Sequence, residues 1–138
     1  MPAKDLYHNT VKTALIKDGW TILADPLSLK IGGRDLFVDL GAEKVLLAQQ
    51  KQRTIAVEIK SFLGYSPVSD LEQALGQYLL YEQLLQRQYP HYQLYLAIRL
   101  GTYQNFFQEE IVQLVLQGDR IKLLIFDEHE EVITQWIP

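Results

Sequence analysis

The segment Arg53 to Ser61, RTIAVEIKS, constrains this chain more than any other. Ile55, Val57 and Ile59 alternate with Ala56, Glu58 and Lys60. Side chains of a β-strand alternate between faces, so the acid and the amine share one face and the apolar residues take the other. The apolar face is expected to be core. A carboxylate and an ammonium in a β-branched run are costly to bury, and strands of this composition usually carry few charges. The segment Gly33 to Gly41, GRDLFVDLG, alternates in the same way, with Asp35, Phe37 and Asp39 on one face and Leu36, Val38 and Leu40 on the other. An antiparallel hairpin turning near Gln49 to Gln52 brings Asp39 close to the Glu58/Lys60 side and leaves Asp35 further out.

Two carboxylates converging beside an ammonium form an oxygen-ligand site suited to Mg²⁺, which takes one or two carboxylates and keeps several waters. The lysine then orients or deprotonates the attacking water, which is machinery for phosphodiester hydrolysis. Two plainer readings compete with this. Glu58 and Lys60 form an exposed pair on an edge strand, which contributes little, or Asp39, Glu58 and Lys60 form a metal-free salt-bridge network.

A chain of 138 residues with 48 % hydrophobic content is expected to form one domain, residues 1–138, with a core that needs no covalent staples. The absence of cysteine excludes disulfides, thiolate metal sites and cysteine nucleophiles. The polar start, MPAKDLYHNTVK, does not resemble a signal peptide, and the apolar runs are too short to span a membrane, so a soluble, cytoplasmic protein is expected. The net charge of −4 is concentrated at one end. Residues 109–138 carry seven acids against Arg120 and Lys122, a local balance of −5, and the remainder is close to neutral. DNA binding is therefore expected to be weak without a partner.

Asp5 to Asp18 reads as an amphipathic helix through Tyr7, Val11, Ala14 and Leu15, with Gly19 as its C-cap and His8 and Lys12 one turn apart. Trp20 to Ala24 reads as a strand ended by Asp25-Pro26, with Leu27 to Ile31 continuing it. Gly32-Gly33 turns the chain into the Asp35/Asp39 strand, which Val45 to Ala48 extends. Gln49 to Arg53 is expected to be a hairpin tip offering Lys51 and Arg53 to phosphates. A capping box of Ser69 and Glu72 opens a helix to about Gln88, with Leu71, Ala74, Leu75, Tyr78, Leu79 and Leu84 as its core stripe and Gln73 and Gln77 on one side. A buried strand, Tyr92 to Leu100, precedes a helix from about Asn105 to Gln117 and a strand pair, Lys122 to Phe126 and Glu131 to Trp136. This order predicts a mixed α/β sheet flanked by helices, with antiparallel and parallel pairs together.

An αβββαβ core with an Asp on the second strand and an ExK triplet on the third, followed by a C-terminal helix and strands, resembles the PD-(D/E)xK restriction-endonuclease-like fold. More closely, KDLYHNTVKTALIKDGW, GGRDLFVDLGAEK, IAVEIKSFLG and LEQALGQYLLY resemble the XisH family, the fdxN element excision controlling factor, over nearly the whole chain. The resemblance implies that Asp39, Glu58 and Lys60 are catalytic, with Asp39, Glu58 and the Ile59 carbonyl holding Mg²⁺ or Mn²⁺ and Asp35 as rival first acid. It matches the superfamily's glutamine–tyrosine pattern to Gln77 and Tyr78, with Gln73 a turn earlier. It places His8 where the superfamily often has a glutamate. It further implies programmed DNA excision in cyanobacteria, beside a site-specific recombinase and a companion factor, XisI.

The functional expectation is thus a Mg²⁺-dependent DNA endonuclease using Asp39, Glu58, Lys60 and Gln77. The alternative is a non-catalytic adaptor with a nuclease fold, acting on a recombinase through a protein partner. The acidic C-terminal third and Tyr81, Tyr89, Tyr92 and Tyr103 as surface aromatics favour the adaptor. An open edge strand near the C-terminus would also allow a homodimer.

Overall fold

In the computed structural model, residues 4–46, 51–118 and 121–138 are described. In chain order the elements are α1 (His8–Lys17), β1 (Thr21–Ala24), β2 (Leu27–Ile31), β3 (Arg34–Val38), β4 (Leu40–Leu46) and β5 (Lys51–Ile59). They are followed by α2 (Pro67–Gln88), β6 (Tyr92–Arg99), α3 (Leu100–Gln104), a single 3₁₀ turn (Phe106–Gln108), α4 (Glu110–Gly118), β7 (Leu123–Asp127) and β8 (Val132–Ile137). Six strands form one sheet in the order β1-β4-β5-β6-β7-β8, and β2 and β3 form a separate ribbon. The pairs β5–β6 and β6–β7 are parallel and β1–β4, β4–β5 and β7–β8 antiparallel, which is the expected mixed α/β sheet flanked by helices. No helix among the described residues is long and apolar enough to cross a membrane.

The alternation in β5 sorts its residues between two cores. Ile55, Val57 and Ile59 pack with Val11 and Leu15 of α1, Trp20, Tyr95 and Phe126 on one face of the sheet. On the other, Ala56 joins Leu71, Ala74, Tyr78 and Leu85 of α2, together with Leu27, Leu29 and Val38 of the ribbon. Glu58, two residues beyond Ala56, faces the α2 side where this second core opens to solvent.

Several local expectations are corrected. Residues 33–41 are not one strand: the chain bends at Asp39, so β3 pairs with β2 and only β4 pairs with β5. Leu27 to Ile31 therefore does not extend β1. The cause lies at Val38 and Leu40, both fully buried but in opposite cores, which a single continuous strand would place on one face. Residues 47–50, the end of the expected preceding strand and the first two residues of the expected hairpin tip, lie outside the described residues, and 51–53 belong to β5. Arg53 is not at a tip. It pairs with Lys44 within β5, donates to the Tyr95 hydroxyl at 3.1 Å, and lies over the Trp20 and Trp136 rings.

The long helix starts earlier than its expected capping box. Ser66 is the N-cap, its hydroxyl accepting from the Ser69 N–H at 3.2 Å, and Pro67 occupies the first turn, where its missing N–H costs nothing. Asp70 instead accepts from the Gly64 N–H at 2.8 Å, an approach so close that a Cβ on Gly64 would sit 2.5 Å from that carboxylate. Leu79 is exposed and outside the core stripe. The expected helix at 105–117 is split at Glu109 into the 3₁₀ turn and α4, and Asn105 lies outside both. Of the supposed surface tyrosines, Tyr81 is buried and Tyr89, Tyr92 and Tyr103 pack half-buried against the core, so this argument for a partner-binding surface lapses.

Candidate active site

Asp39 sits at the bend between β3 and β4, and Glu58 lies directly opposite on β5, since the next pair in register is Leu40 with Val57. The two are bound to each other's strand. Asp39 Oδ2 accepts from the Ile59 N–H at 2.8 Å, and the Asp39 N–H donates to Glu58 Oε1 at 3.2 Å. These bonds aim both carboxyl groups into a cleft of about 520 Å³ lined by Lys4, Asp5, Asp35, Phe37, Gln77, Tyr81 and their neighbours. The cleft lies at the carboxyl end of β5, beside the parallel strand β6, where open α/β sheets take ligands.

Glu58 is 8 % exposed. Its burial, and secondarily the Asp39 charge beside it, push its carboxyl up to about 9. Burial also raises Asp39 above the ordinary carboxylate range, offset in part by the Ile59 N–H. Asp5 raises both acids further. Tyr81, on the α2 wall, is pushed up to about 12 by burial and then by the Glu58 and Asp39 charges, so its hydroxyl stays protonated as a donor. The cleft is therefore rich in hard oxygen atoms and short of positive charge at its floor. At its mouth, Lys60 Nζ donates to Gln73 Oε1 at 3.0 Å.

The other sequence candidates fall in three places. Asp35 is on the cleft rim, 58 % exposed and 4.0 Å from Lys30, whereas Asp39 holds the Ile59 amide, so Asp39 rather than Asp35 is bound to the Glu58 strand. Tyr78 is away from the cleft. Fully buried in the α2 core, its hydroxyl donates to the Leu94 carbonyl at 3.0 Å and accepts from the Lys122 N–H at 3.1 Å. His8 is 3 % exposed with Nε2 2.6 Å from Asp25 Oδ1, while Lys12 donates to the other Asp25 oxygen at 2.7 Å. It does not line the cleft, although it lies near enough to Asp39 to offset part of that carboxyl's shift.

Lys4, Asp5, Phe37 and Tyr81 line the cleft without having been singled out as site residues from the sequence. Tyr81 carried a signal, lying one helical turn after Gln77. Asp5 is expected as the first residue of the first helix, but α1 starts at His8, and the Asp5 Oδ2 accepts from the Ser61 N–H at 3.2 Å and ties the N-terminal segment to the end of β5.

Among the described residues no group of three or more His, Asp or Glu side chains forms a metal cage. The donor set still fits Mg²⁺ or Mn²⁺, which bind through one or two carboxylates and retain water, and Asp39, Glu58 and the Ile59 carbonyl are the residues that would hold the ion.

These features define a mixed α/β-sheet protein with an acid pair and a lysine at the end of its third main-sheet strand in chain order. Residues 1–134 match the XisH protein family, and the chain belongs to it. It is similar to two solved structures. One is an XisH family protein from Nostoc punctiforme PCC 73102, 42 % identical with a TM-score of 0.87, the match covering 97 % of this chain and 100 % of that one. The other is an fdxN element excision controlling factor protein from Anabaena variabilis, also 42 % identical with a TM-score of 0.87, covering 98 % of this chain and 100 % of that one. No curated protein matches.

Proposed function

We infer that this chain is a divalent-metal-dependent DNA endonuclease acting in programmed DNA excision. One observation carries the reading: Asp39 and Glu58 are locked together by reciprocal bonds to the β4 and β5 backbone at the floor of an open cleft, with Lys60 at its mouth. Burying two acids side by side is unfavourable unless a cation or a proton neutralises them. Mg²⁺, when bound, would supply that charge and the Lewis-acid chemistry that polarises a phosphate and activates water at neutral pH. Asp39, Glu58 and the Ile59 carbonyl would hold that ion. The Lys60 ammonium, steadied by Gln73, stabilises charge developing on the phosphate, and Gln77 and the Tyr81 hydroxyl position its oxygens. The excision setting is supported by the relative described as an fdxN element excision controlling factor. A recombinase and a XisI-like factor are the partners this setting implies.

The test is Mg²⁺ and Mn²⁺ titration calorimetry on the wild type and on Glu58→Ala, followed by incubation of each with supercoiled and branched DNA. Binding and nicking by the wild type alone is expected. Equal nicking by Glu58→Ala and Lys60→Ala overturns the reading. One observation favours a non-catalytic adaptor instead: Leu63 and Tyr65, in the segment leading into α2, and Val68, in its first turn, are large apolar side chains left exposed, as partner surfaces are. Wild type that binds neither metal nor DNA but co-purifies stoichiometrically with a XisI-like factor through these residues would favour that alternative.

A further inference from the structure

The β2–β3 ribbon has a base that packing explains and a tip that it does not. At the base, Leu27, Leu29 and Val38 are buried beneath α2, which holds the ribbon against the domain. Beyond them Lys30, Ile31, Gly32, Gly33, Arg34 and Asp35 are all exposed, and Lys30 is 76 % so. A floppy extension would satisfy the fold equally well. This one is fixed at two points. Gly32 and Gly33, at φ 57° and 77°, form the two-residue turn that matches strand twist and that residues with a Cβ adopt at a cost. At the strand, the Gln88 carboxamide clamps one residue twice, accepting from the Lys30 N–H at 3.2 Å and donating to the Lys30 carbonyl at 2.7 Å.

The ribbon is also joined directly to the acid pair. Asp35, Leu36 and Phe37 form one wall of the cleft, and Asp39 follows the last ribbon residue, Val38. Each strand has five residues, so the tip lies roughly 16 Å from the acids. That span corresponds to about five base pairs along a duplex. Nothing fills the space where a Cβ would stand on Gly32 or Gly33, so the turn is a narrow, side-chain-free end flanked by Ile31 and Arg34, with Lys30 one step back, opposite Asp35 and 4.0 Å from its carboxylate. The major groove of B-DNA, about 12 Å wide, admits a two-stranded ribbon, and the deep, narrow major groove of A-form RNA does not.

We propose that the β2–β3 ribbon enters the major groove of duplex DNA about five base pairs from the phosphate held at Asp39 and Glu58, so that the substrate is a DNA duplex rather than a single strand or an RNA duplex. This rests on the nuclease reading for the position of the phosphate. Lys30 and Arg34 supply the phosphate and base-edge contacts, and the Gln88 clamp fixes the distance between groove and cleft.

The experiment compares the wild type with Lys30→Ala/Arg34→Ala, both exposed positions outside the acid pair. Binding of duplex DNA, single-stranded DNA and duplex RNA of one sequence is followed by fluorescence anisotropy in Ca²⁺, and hydrolysis of bis(p-nitrophenyl) phosphate is followed in Mg²⁺. Wild type is expected to prefer duplex DNA, and the double variant to lose about tenfold in duplex affinity while single-strand binding and small-ester hydrolysis stay unchanged. Unchanged duplex affinity in the variant, or a wild type that does not prefer duplex DNA, overturns the proposal. Duplex preference lost in the variant while wild type leaves both the ester and DNA uncleaved supports the ribbon and sinks the nuclease reading.

Discussion

Asp39 and Glu58 hold each other's strands through backbone bonds while their carboxyl groups compete for the same low-dielectric space. The Asp39 N–H reaches Glu58 Oε1 at 3.2 Å and the Ile59 N–H reaches Asp39 Oδ2 at 2.8 Å. This places a thermodynamic load on the fold. Glu58, raised to about 9 by burial and by Asp39, keeps its proton in the folded protein over a range in which the unfolded chain releases it.

The sign of that load gives the first prediction. Between about pH 4.5 and pH 9 the folded state binds more protons at Glu58 than the unfolded state, so without metal stability falls as pH rises through this window. Glu58→Gln keeps the shape, removes the titration, and is expected to stabilise the metal-free protein by roughly 2–4 kcal/mol at pH 8. Urea denaturation at pH 5 and pH 8 checks it. The wild type should lose stability between the two, and the variant should lose clearly less, the remainder coming from the raised Asp39 carboxyl.

Asp25 behaves oppositely. Burial pushes its carboxyl upward, but the hydrogen bonds from Lys12 and His8 outweigh this and hold it below the ordinary aspartate value. Its contribution is present above about pH 4 and is lost as pH falls through the folded value. Asp25→Asn should destabilise by about 2 kcal/mol at pH 7, because it leaves His8 buried beside a neutral amide, and the difference from the wild type should shrink in acid. Thermal unfolding at pH 7 and pH 3 measures both.

How far the sequence spoke for this site can be traced residue by residue. Glu58 and Lys60 were legible because a two-residue period in a β-branched run fixes their face without any knowledge of the rest of the fold. Asp39 was legible as the acid opposite them, but the bend that carries it was not, since Val38-Asp39-Leu40 contains neither glycine nor proline and only the two cores show why the strand must break there. The long helix itself was legible but its true cap was not: the sequence pattern points to Ser69, whereas Ser66 accepts from the Ser69 N–H and Asp70 accepts from the Gly64 N–H. Asp5 was hidden because its contact with Ser61 joins residues 56 positions apart.

Tyr78 separates packing from chemistry. Its hydroxyl bridges the Leu94 carbonyl and the Lys122 N–H between β6 and the approach to β7, and burial pushes it up to about 12. Tyr78→Phe leaves two buried backbone groups without that partner and is expected to cost about 1–3 kcal/mol in denaturant unfolding. If the chain binds a metal and cleaves DNA as proposed, both should match the wild type when measured well below the unfolding midpoint.

Lys60 and Gln73 should divide along different lines. The Lys60 ammonium stands at the mouth of the cleft and is exposed enough to remain solvated, so its removal should cost the fold little. If it stabilises charge on the phosphate, Lys60→Ala should lower the cleavage rate about 10²-fold or more while calorimetric Mg²⁺ affinity is retained. Gln73 touches Lys60 and supplies no ligand to the acid pair, so it acts by positioning. Gln73→Ala should reduce cleavage far less, and Gln73→Glu, whose carboxylate holds the ammonium more firmly away from the phosphate, should reduce it further than alanine does. Single-turnover nicking of supercoiled DNA by the three variants gives the order. A Gln73→Glu rate above that of Gln73→Ala would show that Lys60 works from the position Gln73 holds it in, without having to swing toward the phosphate.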